Sequence, residues 1–90
     1  MPDSKATIAQ PHTEDAIRDW LVAYIAKKTN TPADDIDTDV TFDRYGLDSA
    51  VAIALTGDLE DHLGRRLSPT LPYNYTSIDA MAAHLAAGGS

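Results

Sequence analysis

The chain contains no cysteine, which removes disulfides, thiolate nucleophiles and zinc–thiolate centres together. It has no apolar run near the roughly 20 residues of a membrane span, and its first residues lack the apolar core of a signal peptide. A soluble, cytoplasmic chain with no membrane partner is expected. Base is scarce: seven Lys and Arg face fourteen Asp and Glu, a formal charge of −7. Nucleic acid is therefore not an expected partner, because phosphates need Lys and Arg to displace their counterions. Anionic lipid surfaces are disfavoured for the same reason. Glycine is sparse, and Gly46 stands alone rather than in a phosphate-cradling run. The three histidines, His12, His62 and His84, have no second ligand type at metal spacing and read as surface residues, so no metal is expected. With 90 residues there is room for one domain and no more.

What the chain does have is unevenly placed acid. From Asp34 to Asp61 there are nine acids and one base, Arg44, a net −8, so the remainder sums to +1 within the total of −7. Such a run is either a solvated acidic surface or a field that steers a basic partner. Paired carboxylates in so exposed a segment have nothing to split their pKa values into acid and base roles. A domain this small also cannot enclose a substrate pocket of its own, so no catalytic residues are expected.

The periodicity is helical throughout. Residues 1–11 are polar and aperiodic and read as a disordered leader; Gly88-Gly89-Ser90 reads as a flexible tail. The domain between them, 12–87, opens with Thr13 as an N-cap and Glu14 and Asp15 in the first turn. Ile17, Trp20, Leu21, Tyr24 and Ile25 then mark one buried face. Lys27 and Lys28 suit the last turn, and Asn30, Thr31 and Pro32 end the helix. The next 20 or so residues show no helix, a length that signals function or a hidden element. Ile36, Val40, Phe42 and Leu47 are spaced as pegs that hold an ordered, packed loop. A second helix runs from Asp48 or Ser49 to about Leu63 and stops at Gly64. Pro69 and Pro72 bracket a connector with a short turn at Tyr73-Asn74-Tyr75. Ser77 or Thr76 caps a last helix buried through Ile78, Met81, Ala82 and Leu85. The fold class is all-α: three main helices, one short one and a long ordered loop between the first two.

In the second helix Val51, Ala52, Leu55, Leu59 and Leu63 fall on one side. Ala50, Ile53, Ala54, Gly57 and Asp61 fall on the other, flanked by Asp58 and Glu60. An exposed Ile53 among small residues and acids reads as a partner-docking patch or, alternatively, as a stray surface apolar residue. At the head of that helix, Gly46-Leu47-Asp48-Ser49-Ala50 admits two readings from physics alone. Ser49 is an ordinary N-cap, or it is a hydroxyl presented for a phosphate at a helix N-terminus, with the adjacent Asp48 orienting a metal-bound phosphate donor.

Asp43-Arg44-Tyr45-Gly46-Leu47-Asp48-Ser49 resembles the attachment motif of acyl carrier proteins. Pro32-Ala33-Asp34-Asp35-Ile36 and Phe42 are similar to that family's first loop, and Gly57 to Gly64 to its recognition helix. Leu67-Ser68-Pro69-Thr70-Leu71 through Leu85 is similar to the ending of polyketide-synthase carriers. Two positions depart from the pattern. Asn74-Tyr75-Thr76-Ser77 stands where such carriers have Asp-Tyr-Pro-Thr, and Ala50 stands where a bulky Leu or Met usually follows the serine.

The resemblance implies a non-catalytic, monomeric carrier of polyketide or fatty-acid-type biosynthesis. It implies 4′-phosphopantetheine on Ser49, installed from coenzyme A by a phosphopantetheinyl transferase, with Asp48 beside it. Partners would be a ketosynthase, an acyltransferase or a fatty acyl-AMP ligase, docking on Ala50, Ile53, Ala54, Gly57, Asp58, Glu60 and Asp61. Gly46 to Ala50, Leu55 to Glu60 and Leu67 to Leu71 resemble carriers loaded by fatty acyl-AMP ligases, which implies a preformed acid as cargo; the alternative is an ordinary extender carrier with small residues at these positions by chance. A peptidyl carrier shares fold and chemistry but fits the Asp48-Ser49 pair and the acidity less well. A non-carrier acidic interaction bundle is the alternative of a different class.

Overall fold

The computed structural model describes residues 13–89. The leader expected at 1–11, His12 and Ser90 lie outside the described residues. Four helices and no β-strand make up those described. They are α1 (Glu14–Thr29), α2 (Ser49–Leu63), α3 (Leu71–Asn74) and α4 (Ile78–Ala86). Two 3₁₀ turns, Ala33–Asp35 and Phe42–Tyr45, lie in the loop between α1 and α2. No helix among the described residues is long and apolar enough to cross a membrane.

Helix α1 begins where Thr13 Oγ1 accepts the Ala16 amide at 3.2 Å and ends at Asn30 in the left-handed region, φ 55°. Its fully buried residues are Ile17, Leu21 and Ile25. Trp20 and Tyr24, expected on the same face, are only half-buried. They are too large to close over with a polar tip still needing a partner, so they stack on each other at the margin with centroids 5.1 Å apart. Trp20 also stacks on His62 of α2 at 5.2 Å. The Tyr24 hydroxyl donates to Asp58 Oδ2 at 2.8 Å, pinning α1 to α2 across 34 residues of sequence.

Helix α1 packs most extensively on α4. Arg18 reinforces that seam: its Nε donates to Asp79 Oδ1 at 2.9 Å while Nη1 and Nη2 hold Asp15 and Glu14, each at 2.6 Å. These pairs are partly solvated, so each contributes about 1 kcal/mol or less. Ser77 caps α4 by accepting the Ala80 amide at 3.1 Å, and Ile78, Met81, Ala82 and Leu85 are all buried. Gly88 and Gly89, expected as the start of the tail, donate to the Leu85 and His84 carbonyls at 3.1 and 3.0 Å. Arg65 adds bonds of 2.8 Å to the Leu85 and Gly89 carbonyls.

The long loop is ordered, as its apolar pegs imply. Ile36 and Phe42 are buried in the core, whereas Leu47 and Val40 reach only half-burial. Backbone bonds stitch the loop to the start of α4: Phe42 N donates to Thr76 O at 2.8 Å, and Asp79 N donates to Thr38 O at 2.9 Å. Tyr45 Oη donates to Asp37 O at 2.9 Å and accepts its amide at 2.6 Å, closing the loop on itself. The carbonyl of Thr76, which stands where polyketide-synthase carriers have proline, is thereby tied to the loop.

In α2 the buried residues are Leu55, Thr56, Leu59 and Leu63. Val51 and Ala52, expected in that stripe, are only half-buried, and Thr56 was not expected in it. Thr56 can be buried because its hydroxyl donates to the Ala52 carbonyl at 2.9 Å, leaving no unpaired polar group. The short helix α3 starts at Leu71, two residues before the expected turn, with Pro72 tolerated in its first turn.

The Tyr24–Asp58 pin makes stability sensitive to alkali. Desolvation first, and the bond to Asp58 second, raise the phenol from 10.0 to about 12. A phenol raised in the folded state contributes stability fully below its unfolded value and loses it as pH rises through the folded value. Urea unfolding should therefore show a loss between about pH 10 and pH 12 that Tyr24→Phe lacks, the variant itself costing about 1 kcal/mol at neutral pH.

Candidate functional site

The head of α2 is placed by what precedes it. Phe42 is buried and its amide is fixed on Thr76, so the 3₁₀ turn ends at a set point. Gly46 then reverses the chain at φ 75°, a conformation a side chain resists. Its N–H donates to the Asp43 carbonyl at 3.0 Å. Leu47 is half-buried against the core. The next residue, Asp48, is extended, and its Oδ1 accepts the Val51 amide at 3.0 Å.

That bond excludes Ser49 as the cap. The cap of α2 is Asp48, so Ser49 is the first helical residue and not the cap. Asp and Ser are nearly equal as caps, and the one placed by the Gly46 turn is the aspartate. The Ser49 side chain is exposed, and none of the described residues engages its hydroxyl. Local structure makes no use of that oxygen.

Ser49 stands on the rim of a groove of about 560 Å³. Its walls come from three places: Thr41, Phe42 and Asp43 of the loop, Asp48 and Ala52 of α2, and Pro72, Tyr73 and Thr76 around α3. Among the described residues no histidine lines it, so none of them offers Ser49 a histidine base there. His62 is exposed on α2, and His84 is half-buried against Tyr75 with centroids 3.9 Å apart. No group of three or more His, Cys, Asp or Glu among the described residues could hold a metal.

A phosphate ester on Ser49 fits this arrangement. The first-turn amides of a helix have no intrahelical acceptor, and Asp48 takes only the one on Val51. The ester would sit at the positive end of the α2 dipole, and its substituent would leave along an open groove.

Of the residues read as a docking face, Ala50, Ile53, Ala54, Gly57 and Asp61 are exposed. Ile53 is 61% exposed, unusual for an isoleucine in a helix. The other two acids have internal roles. Asp58, though exposed, accepts the Tyr24 hydroxyl. Glu60 is half-buried, and its Oε2 accepts the Leu67 amide at 2.8 Å, which holds the connection from α2 to α3. Sequence periodicity could not find either partner, because both lie beyond the helix. The groove walls at Pro72, Tyr73 and Thr76 also escaped sequence reasoning. The 56% exposure of Tyr73 is their sign in the structure.

The family described as "phosphopantetheine attachment site" matches residues 19–85. The chain belongs to that family, whose prosthetic group is covalently bound 4′-phosphopantetheine. Among relatives, one component of the phenolphthiocerol/phthiocerol polyketide synthase of Mycobacterium tuberculosis is 35% identical over 71 residues, 79% of this chain. The match spans 4% of that much longer protein. Among solved structures, an acyl carrier protein from Anabaena sp. PCC 7120 with a variant phosphopantetheinylation-site sequence is 37% identical. It superimposes with a TM-score of 0.82 over 90% of this chain and 92% of its own. A free-standing peptidyl carrier protein from Acinetobacter baumannii is 35% identical, with a TM-score of 0.79 over 86% of this chain and 96% of its own. Members of this family are carriers without catalysis of their own.

Because Asp48 and not Ser49 is the cap, the two alanine variants should separate. Asp48→Ala should lower unfolding stability by about 0.5–2 kcal/mol in urea titrations. Ser49→Ala should stay within about 0.5 kcal/mol of the parent.

Proposed function

We infer that Ser49 is the residue that bears 4′-phosphopantetheine, and that the chain is an acyl carrier of polyketide type. The observation that carries this reading is the Ser49 hydroxyl, exposed on a groove and relieved of capping by Asp48. A phosphopantetheinyl transferase would use that oxygen as the nucleophile toward coenzyme A. The Ser49 Oγ–phosphorus bond forms, the pyrophosphate bond of coenzyme A breaks with adenosine 3′,5′-bisphosphate as the leaving group, and the serine proton leaves to a base of the transferase. The second carboxylate oxygen of Asp48, which the helix cap does not use, suits a metal held by that enzyme. When bound, the group supplies a flexible arm ending in a thiol that carries acyl chains.

The chain's own part is presentation. A tethered cargo meets successive enzymes at high effective concentration without any tight contact. The exposed acids of the loop and α2 suit brief docking by basic surfaces. All the Arg and Lys ion pairs among the described residues belong to Arg18, on the far seam, so the field of residues 34–61 is not cancelled internally.

For the cargo, we favour a preformed fatty or aryl acid delivered by a fatty acyl-AMP ligase. Ala50 and Gly57 are small and exposed on either side of Ile53, so an enzyme surface can approach α2 closely with one apolar anchor. The likeness to a free-standing peptidyl carrier supports a second reading, in which an aminoacyl group is the cargo.

Intact mass tests the site: the parent chain with coenzyme A and a broad-specificity transferase should gain one phosphopantetheine, and Ser49→Ala should gain none. Modification persisting in Ser49→Ala would remove the assignment. Cargo is tested on the modified protein in three parallel reactions. These offer a fatty acid with ATP and ligase, malonyl-CoA with an acyltransferase, and an amino acid with ATP and an adenylation enzyme. Acylation is expected in the first. Malonyl loading alone would make the chain an extender carrier, and amino-acid loading alone a peptidyl carrier.

A further inference from the structure

A second groove, of about 330 Å³, lies farther along α2 than the groove at Ser49. Ile53 and Gly57 of α2 form one wall, and Leu67 and Pro69 of the connection to α3 form the other. Glu60 and Arg66 stand at its margin. Their charges are not equivalent. The Glu60 carboxylate is turned to the Leu67 amide, whereas Arg66 is exposed and no hydrogen bond or ion pair from the described residues engages it. The neighbouring Arg65 is taken up by the Leu85 and Gly89 carbonyls. Arg66 is thus a free cation beside an apolar slot, in a chain whose net charge is −7.

The slot lies within reach of any enzyme that touches Ser49 directly. At 1.5 Å per residue, Ile53 is about 6 Å and Gly57 about 12 Å along the helix from Ser49. An ordinary interface covers about 800 Å² per partner, a patch of about 16 Å radius. An enzyme that works on the serine oxygen itself, rather than on the end of a long arm, has this flank of α2 within such a patch.

We propose that the groove between α2 and the 64–70 connection is a docking slot for the phosphopantetheinyl transferase, which inserts one apolar side chain between Ile53 and Pro69 and sets a carboxylate against Arg66. The inference rests on Ser49 being the attachment residue. It gives the contact a polarity. The acids near Ser49 face base on the partner, and Arg66 two to three turns away faces acid. A uniformly basic partner surface would meet repulsion at Arg66, while a two-signed surface can settle in only one direction along α2.

The test is the steady-state kinetics of modification by a broad-specificity phosphopantetheinyl transferase with coenzyme A, over a range of carrier concentrations. Arg66→Glu should raise KM for the carrier about fivefold or more with kcat unchanged, and Arg66→Lys should stay near the parent. The direction is diagnostic, because adding acid would lower KM against a partner that is only basic. Gly57→Leu is the second variant. Nothing lies within 4 Å of a Cβ at Gly57, and leucine is a better helix former than glycine, so its thermal midpoint should hold or rise while KM rises. Arg66→Glu and Gly57→Leu both within twofold of the parent, or a fall in KM for Arg66→Glu, would overturn the slot. Failure of the parent chain itself to gain the arm would instead overturn the Ser49 assignment, and the slot's proposed occupant with it.

Discussion

The hydrogen bond from the Phe42 amide to the Thr76 carbonyl, 2.8 Å long, joins two segments that no helix would otherwise bring together. On one side is a loop of nearly 20 residues whose closure is entropically expensive unless something fixes it midway. On the other is the start of α4, the helix that packs most extensively against α1. With Phe42 buried beside that bond, the 3₁₀ turn has one position, and so do Gly46, the Asp48 cap and Ser49 in sequence after it. The groove wall at Thr76 has the same origin. A hydroxyl on a flexible loop would sample many places; the Ser49 hydroxyl stands at one, because loop and last helix share a backbone bond.

A division of labour at the head of α2 follows from that placement. Two adjacent residues can both cap a helix, and the turn at Gly46 assigns the work to Asp48. Ser49 keeps a hydroxyl that the fold does not need. The same economy is absent at Asp58 and Glu60, whose carboxylates are committed to Tyr24 and to the Leu67 amide. Charge counted along a sequence therefore overstates what a partner can use. Acids on α2 act partly inward, as pins between helices, and partly outward.

The helix ends were legible because each is written in a few adjacent residues: Thr13 and Ser77 as caps, and Gly64 as a left-handed stop. Ser49 was legible as a motif, though not the reason it is free. What escaped was non-local. Thr56 is buried because its hydroxyl bonds back to Ala52, and hydrophobicity alone assigns threonine to the surface. Tyr24 remains at the margin because its partner is 34 residues on. The loop's pegs were visible but unequal: Phe42 and Ile36 reach the core while Val40 and Leu47 stop halfway, since rank in the core depends on what the other helices leave open. Each groove has one wall from the segment after α2, Pro72, Tyr73 and Thr76 in the first and Leu67 and Pro69 in the second, and no reading of the attachment motif contains those walls.

The Trp20 stack has an optical consequence. Trp20 is the only tryptophan of the chain, and its indole lies against Tyr24 of its own helix and His62 of the next, with ring centroids 5.1 and 5.2 Å away. Its emission is a gauge of the α1–α2 seam. His62 is about 20 Å along the α2 axis from Ser49, so the fluorophore sits at the far end of the helix from that serine. Light from this protein reports whether the bundle is closed and leaves the state of the serine to be read by other means.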